Sequence, residues 1–415
     1  MIEYSHVNSE KLISDGCYSY VKMLIHKNGL RIFLILSLFF LANAELYGQT
    51  FKNALEVGAG GGRMIRNYPD FPEINEQALV GSLRYSQKFF GNKPWHKYYN
   101  NPVFSLYATG GSMGNNNELG YFTGLMAELS FEKHKPLKKL FWGPRLSLGS
   151  AYFTNPYNEQ TNNTNVAIGS SFTFLAAAEV MIGYNLNPKT DLIGRISILH
   201  ASNSHFQLPN VGMNMPVLSG GIRFKLSEQQ NNQVDSVSHS LNKKIQFNVR
   251  VALGVNEQGS STAPVNGPKY PIFLTSAFLS KMVSPINKVT LGIEGWYNKG
   301  VYDFIVSQEF YESNAAGKSY AVAMVLGHEF IMGHFSIVTN GGIYLYNPFY
   351  RDRLERNELT GTKDKLKVWI PARLGFQYYA KDAFLSPKNN WFAGIYIKTN
   401  LGQADFLESG IGYQF

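Results

Sequence analysis

Between residue 54 and the C-terminus, segments of about ten residues alternate apolar and polar side chains, each bounded by Gly, Pro, Asn or Asp. In a strand, successive side chains point to opposite faces, so this alternation marks a sheet with one apolar and one polar face. The cleanest case sets Ile245, Phe247, Val249, Val251, Leu253 and Val255 against Gln246, Asn248, Arg250, Ala252 and Gly254. A tilted strand needs roughly 9–11 residues to cross a bilayer, so the pattern predicts an all-β, transmembrane antiparallel β-barrel. Strands are expected near 54–65, 78–89, 102–113, 120–132, 141–154, 172–186, 191–202 and 215–226 in the first half. In the second half they are expected near 244–256, 270–283, 287–299, 319–332, 334–347, 367–380, 389–401 and 404–415. Composition agrees. The chain is 44% hydrophobic and 14% aromatic but only 16% charged, well below the roughly 25% of a soluble domain. After residue 44 no stretch reaches the roughly 18 continuous apolar residues of a membrane helix. A soluble secreted β-protein is the competing class.

At the N-terminus, Lys27 and Arg31 precede an apolar run at 32–41 and then Ala42-Asn43-Ala44. That is the layout of a cleaved signal peptide at 1–44, with a site near Gly48 as the alternative; residues 1–22 read as a misassigned start ahead of Met23. The single cysteine, Cys17, precedes the cleavage site, so the mature chain holds no disulfide and no cysteine nucleophile. It keeps 34 Lys and Arg against 26 Asp and Glu from residue 45 on, a balance that favours anionic surroundings. The polar stretch 227–243 reads as a linker between a first unit at 50–226 and a second at 244–415. The units echo each other: 141–157 resembles 334–350, and 193–198 resembles 392–397. Two tandem eight-stranded barrels and one sixteen-stranded barrel both fit the pattern, and the length of the linker favours two.

With both termini in the periplasm, the connections 66–77, 155–165, 203–214, 257–269, 300–318 and 348–366 lie outside. The Lys-rich turns 88–97 and 133–139 lie inside and read as solvated turns, and the charged segment 351–356 reads as a solvated outer loop, with a hold on lipid phosphates as the alternative. The seventh strand then carries Leu192, Gly194, Ile196, Ile198, His200 and Ser202 on one face, and Ile193, Arg195, Ser197 and Ala201 on the other. An imidazole and a hydroxyl two residues apart share a face, the pairing an activated serine nucleophile needs. In the eighth strand Leu218, Gly220, Ile222 and Phe224 are expected to face lipid, with Val217, Ser219, Gly221, Arg223 and Lys225 facing the lumen. Asn214 has the lipid-facing parity. Ser202 as nucleophile, His200 as base and Asn214 as orienter can therefore share one exterior patch, suited to a lipid substrate. The competing reading is an interfacial histidine beside two loop polars.

His200-x-Ser202-Asn203, followed by Pro209-Asn210-x-Gly212, resembles the signature of the outer-membrane lipid A 3-O-deacylase family (acyloxyacyl hydrolases). It also sits where that family has it, and the resemblance covers about residues 50–226. It implies an eight-stranded barrel that removes the 3-linked acyl chain of lipid A, using a Ser-His-acid site toward the outer leaflet and no metal or other cofactor. Carried over, Ser202 is the nucleophile and His200 the general base, while Asn210 and backbone amides near Asn203 and His205 form the oxyanion hole. The chain departs twice. The family's glutamate is matched by Asn214, which can orient an imidazole but cannot balance its charge, and a family glycine is matched by His205. Glu179 on the sixth strand is the candidate substitute carboxylate. In the second half Thr399 and Leu401 stand at the matching positions, so no such site is expected there; Asp405 and Glu408 read as solvated or lumenal. The implied partners are lipid A or another outer-leaflet lipid, the outer membrane, and the barrel assembly machinery, which would read the terminal strand ending on Phe415. No P-loop, dinucleotide, zinc or nucleic-acid motif is present. The expected function is an outer-membrane esterase; the alternative is a non-catalytic barrel with a structural or transport role.

Overall fold

The computed structural model describes residues 52–89, 93–134, 139–227, 242–356, 358, 361–400 and 403–415. The expected signal peptide, Cys17 and most of the 227–243 linker lie outside the described residues. The first ring is built from β1 (Lys52–Gly62), β2 (Ala78–Lys88), β3 (Val103–Ser112), β4 (Tyr121–Ser130), β6 (Leu140–Phe153), β7 (Phe172–Asn187), β8 (Thr190–Ser202) and β9 (Met213–Lys225). A two-residue β5 (Lys133–His134) pairs beside β6. Neighbours pair antiparallel, and the β1–β9 and β4–β6 pairings close the ring. The second ring runs through β10 (Gln246–Glu257), β11 (Lys269–Ser284), β12 (Asn287–Asn298), β13 (Tyr320–Met332), β14 (Phe335–Tyr346), β15 (Ala372–Tyr379), β16 (Asn390–Thr399) and β17 (Ala404–Gln414). β10 pairs with β17 to close it. The fold is thus two eight-stranded barrels, not one of sixteen strands. The echoing segments fall on equivalent strands: 141–157 and 334–350 start at β6 and β14, each fifth in its ring, and 193–198 and 392–397 lie on β8 and β16, each seventh.

Alternation sorts the side chains as the pleat requires. Ile196 and Leu218 are each 68% exposed on the outside, an apolar surface that suits hydrocarbon rather than water. The opposite faces carry charge into the lumen. In the first ring Arg145 Nη2 meets Glu56 Oε2 at 3.0 Å, Arg84 Nε meets Glu128 Oε2 at 3.0 Å, and Arg223 Nη2 meets Glu132 Oε1 at 2.8 Å, all buried. In the second, Arg250 Nη1 meets Glu408 Oε1 at 2.9 Å and Lys288 Nζ donates to Tyr379 Oη at 2.6 Å. Charges this buried persist because they are paired and hydrogen-bonded.

Two expectations are corrected. Residues 367–369, read as the start of a strand, are the last turn of a helix, Thr362–Trp369, and β15 begins only at Ala372. Lys and Leu favour a helix there, and Pro371 ends it by denying its N–H and crowding Ile370. The charged segment 351–356 is no simple solvated loop either. It lies largely in the helix Pro348–Glu355, where the Arg353 guanidinium sits over the rings of Phe304 and Phe349, and Arg356 over Phe310 at 3.9 Å. A further helix, Lys299–Ser307, is started by Asn298, whose side chain accepts from the Gly300 and Val301 amides. Among the described residues no helix is long and apolar enough to cross a membrane.

Candidate active site at the end of β8

β8 carries His200 to its loop end, and the strand register sets His200 directly opposite Asn214 of β9. Directly opposed cross-strand side chains stand close enough to bond. His200 Nδ1–H donates to Asn214 Oδ1 at 2.8 Å. An amide oxygen only accepts, so this bond protonates Nδ1 and leaves the lone pair of the neutral ring on Nε2. The ring is exposed and lies on the outward face, above Ile196 and Ile198. Both residues have the outward parity of their strands, and the register sets them directly opposite one another.

Ser202 ends β8, half-buried on the same face. Its Oγ accepts from Asn210 Nδ2 at 2.9 Å and from the Ser204 amide at 3.2 Å. The Asn210 side chain is aimed by the loop itself: its Oδ1 accepts the Asn203 amide at 3.2 Å, which turns Nδ2 toward the serine. The Asn203 amide is thereby committed to Asn210, and the Asn203 side chain donates to the Gln207 carbonyl at 2.7 Å. Ser204 and His205 hold φ of 56° and 67°, the left-handed region, and this reversal folds the Ser204 amide back onto Ser202. Gly212, at φ 82°, lies between the base and the serine. A Cβ there would stand 3.6 Å from His200 Cε1 and 3.7 Å from Ser202 Cβ. His200 and Ser202 flank the same glycine, and no hydrogen bond joins the ring to the hydroxyl in this conformation.

Glu179 is not part of this constellation. It opposes Ser197 in the register and faces the lumen, bound to Arg84 at 3.0 Å and Arg145 at 3.1 Å, so it cannot serve as the substitute carboxylate. Glu408 is likewise lumenal, between Arg250 and Arg373. Asp405 lies beside Lys398 and Asn400. Thr399 ends β16; Leu401 lies outside the described residues. His205 is buried, and burial, reinforced by the charge of Lys367, pushes its pKa down to about 4. Sequence reasoning missed the donors and acceptors that reach this loop from the second barrel, among them Glu257; nothing local in the sequence signals a contact 49 residues away.

Two closed antiparallel rings with apolar exteriors and charged lumens define an outer-membrane β-barrel protein, with a Ser-His-Asn cluster at the end of one strand. Residues 80–223 match the lipid A 3-O-deacylase (PagL) family, and residues 245–415 match the C-terminal domain of acyloxyacyl hydrolase. The first barrel is thus similar to the lipid A 3-O-deacylase family, and the second to the acyloxyacyl hydrolase C-terminal domain. Among curated proteins none matches it. Among solved structures it is similar to Neisserial surface protein A, at 16% identity over 43% of this chain and 99% of that one, with a TM-score of 0.28. It is also similar to the NanC porin, at 6% identity over 87% of this chain and 98% of that one, with a TM-score of 0.15.

Proposed function

We propose that the chain is an outer-membrane esterase that removes an ester-linked acyl chain from lipid A or a related outer-leaflet lipid. The observation that carries this reading is the bond from His200 Nδ1 to Asn214 Oδ1 on the outward face, two residues from Ser202. The family match over residues 80–223 supports the ester-hydrolase class, and the geometry supports the roles. Rotation of the Ser202 side chain brings Oγ toward His200 Nε2; catalytic hydrogen bonds of this kind often tighten only when substrate is bound. Oγ attacks the ester carbonyl carbon while its proton passes to Nε2. The carbonyl oxygen takes the negative charge, and Asn210 Nδ2 with the Ser204 amide, the two donors now converging at Ser202, stabilise it. The imidazolium returns its proton to the departing alcohol oxygen, leaving an acyl-serine. Water, deprotonated by Nε2, then attacks the acyl-serine, releasing the fatty acid and restoring Ser202. Asn214 holds the tautomer throughout. Ile196, Ile198 and Leu218, exposed on the outside of the same two strands, offer an apolar surface to the acyl chain.

The test is mass spectrometry of lipid A from cells expressing the protein or its Ser202→Ala variant. The expected result is loss of one acyl chain with the wild type only, the variant losing on the order of 10⁶ in kcat where the triad acts as a unit. An unchanged acyl pattern on overexpression removes the reading for that lipid.

A further inference from the structure

We propose that the mouth of the second barrel positions the serine's loop in the first, with Glu257 as the positioning residue; the catalytic consequence rests on the esterase reading above. Glu257 is the last residue of β10, and its side chain is fully buried. Its Oε2 accepts the backbone N–H of Leu208 at 3.0 Å, across to the first barrel. Lys269 Nζ and the Gly267 amide hold the same carboxylate from its own side. The Glu257 amide donates to the His205 carbonyl at 2.9 Å. Further along the same segment, the Gly259 carbonyl accepts from His205 Nε2 at 3.4 Å, and the Ser261 carbonyl accepts the Asn210 amide at 2.7 Å.

Four hydrogen bonds from 257–261 therefore grip 205–210, and the last of them holds the backbone of the residue whose side chain reaches Ser202. The loop needs an outside hold. Ser204 and His205 occupy the left-handed region, where non-glycine residues persist only when their surroundings determine them. A carboxylate accepting a backbone N–H is a charge-assisted bond and among the stronger ways to supply that hold. The second barrel carries no His-Ser pair of its own at the described positions of β16. Its contribution is to keep Asn210 and the Ser204 amide where the oxyanion forms. Displacement of such donors by about 1 Å costs about 100-fold in rate.

The experiment uses the full-length chain in vesicles of phospholipid and lipopolysaccharide, with Glu257→Ala and Glu257→Gln. It measures kcat and KM for fatty-acid release, amide hydrogen exchange over 203–212, and heat-modifiable migration as the check that both barrels are folded. Glu257→Ala should lower kcat by about 10- to 100-fold with KM unchanged. Exchange at the Leu208 and Asn210 amides should rise while β8 and β9 stay protected. Glu257→Gln keeps an amide oxygen for the Leu208 N–H and should recover most of the rate. Wild-type kcat and unchanged exchange in Glu257→Ala would overturn the proposal. So would a loss of rate, equal in both variants, that only tracks loss of folded protein. If the wild type itself releases no fatty acid, the esterase reading fails, and the exchange arm still decides whether Glu257 holds the loop.

Discussion

At the scale of single residues, the substitution that matters most is Asn214 where the lipid A 3-O-deacylase resemblance expects glutamate. Replacing the acid of a serine triad by its amide can cost about 10⁴ in rate, largely because the amide selects the wrong histidine tautomer. Here the amide oxygen faces the ring at 2.8 Å, so the tautomer is the productive one. What is missing is the negative charge that stabilises the imidazolium. Asn214→Glu should therefore raise kcat by about tenfold or more without changing the bond to Nδ1, whereas Asn214→Ala should lower it. Steady-state fatty-acid release from the folded variants reads both, and an Asn214→Glu variant no faster than wild type would show that charge at this position is irrelevant. The pairing itself was legible in the sequence, since period-two parity put His200, Ser202 and Asn214 on one face. The aim of Asn210 was not. It depends on the Asn203 amide taking Oδ1, and on two left-handed residues that no propensity assigns to Ser204 and His205.

At the scale of the element, the loop between β8 and β9 should respond to pH through His205. Its folded pKa is about 4, against roughly 6.5 for an unperturbed histidine. Between those values the unfolded loop binds a proton that the folded loop refuses, so stability rises with pH across this window. The stabilisation is complete above about pH 6.5, falls progressively toward pH 4 and levels off below it, a total on the order of 3 kcal/mol. Hydrogen-exchange protection of 203–212, corrected for intrinsic rates, should decline from pH 7 to pH 4.5 while the strands keep theirs. His205→Gly removes the titrating group and relieves a left-handed φ, and should flatten the profile. A decline that persists in His205→Gly would assign the effect to another group. Elements of this kind mark where sequence reading stops. Strands were legible because membrane and lumen impose opposite demands on alternate residues, but the helices at 299–307, 348–355 and 362–369 are only two turns long. Such helices are set by packing, as in the stacking of Arg353 on Phe304 and Phe349, rather than by an extended apolar stripe.

For the whole molecule, the two barrels separate their labours by face. Catalytic candidates lie on the outside of the first ring, while its interior holds an ion-pair network and an apolar cluster that includes Phe122, Met126, Leu175 and Leu199. Glu56 is the hub of that pairing, bound to Arg84, Arg145, Arg195 and Arg223, with every partner buried. With these ion pairs and the apolar cluster packed inside the first ring, the purified protein should give no conductance steps in planar bilayers; steady unitary currents would favour a transport role. Removing Glu56 leaves four guanidinium groups to share Glu128, Glu132, Glu179 and Asp191, and breaking a buried ion pair from one side costs about 3–5 kcal/mol. Glu56→Ala should accordingly lower the urea midpoint and the temperature at which heat-modifiable migration is lost. The wall of the barrel stands between Glu56 and the His200–Asn214 pair, which face opposite sides of the sheet. Below its unfolding transition, the variant should therefore keep wild-type kcat. A collapse of kcat in protein that still migrates as folded would mean that lumen and outer face are coupled, and that the ion network helps set the geometry of the serine site.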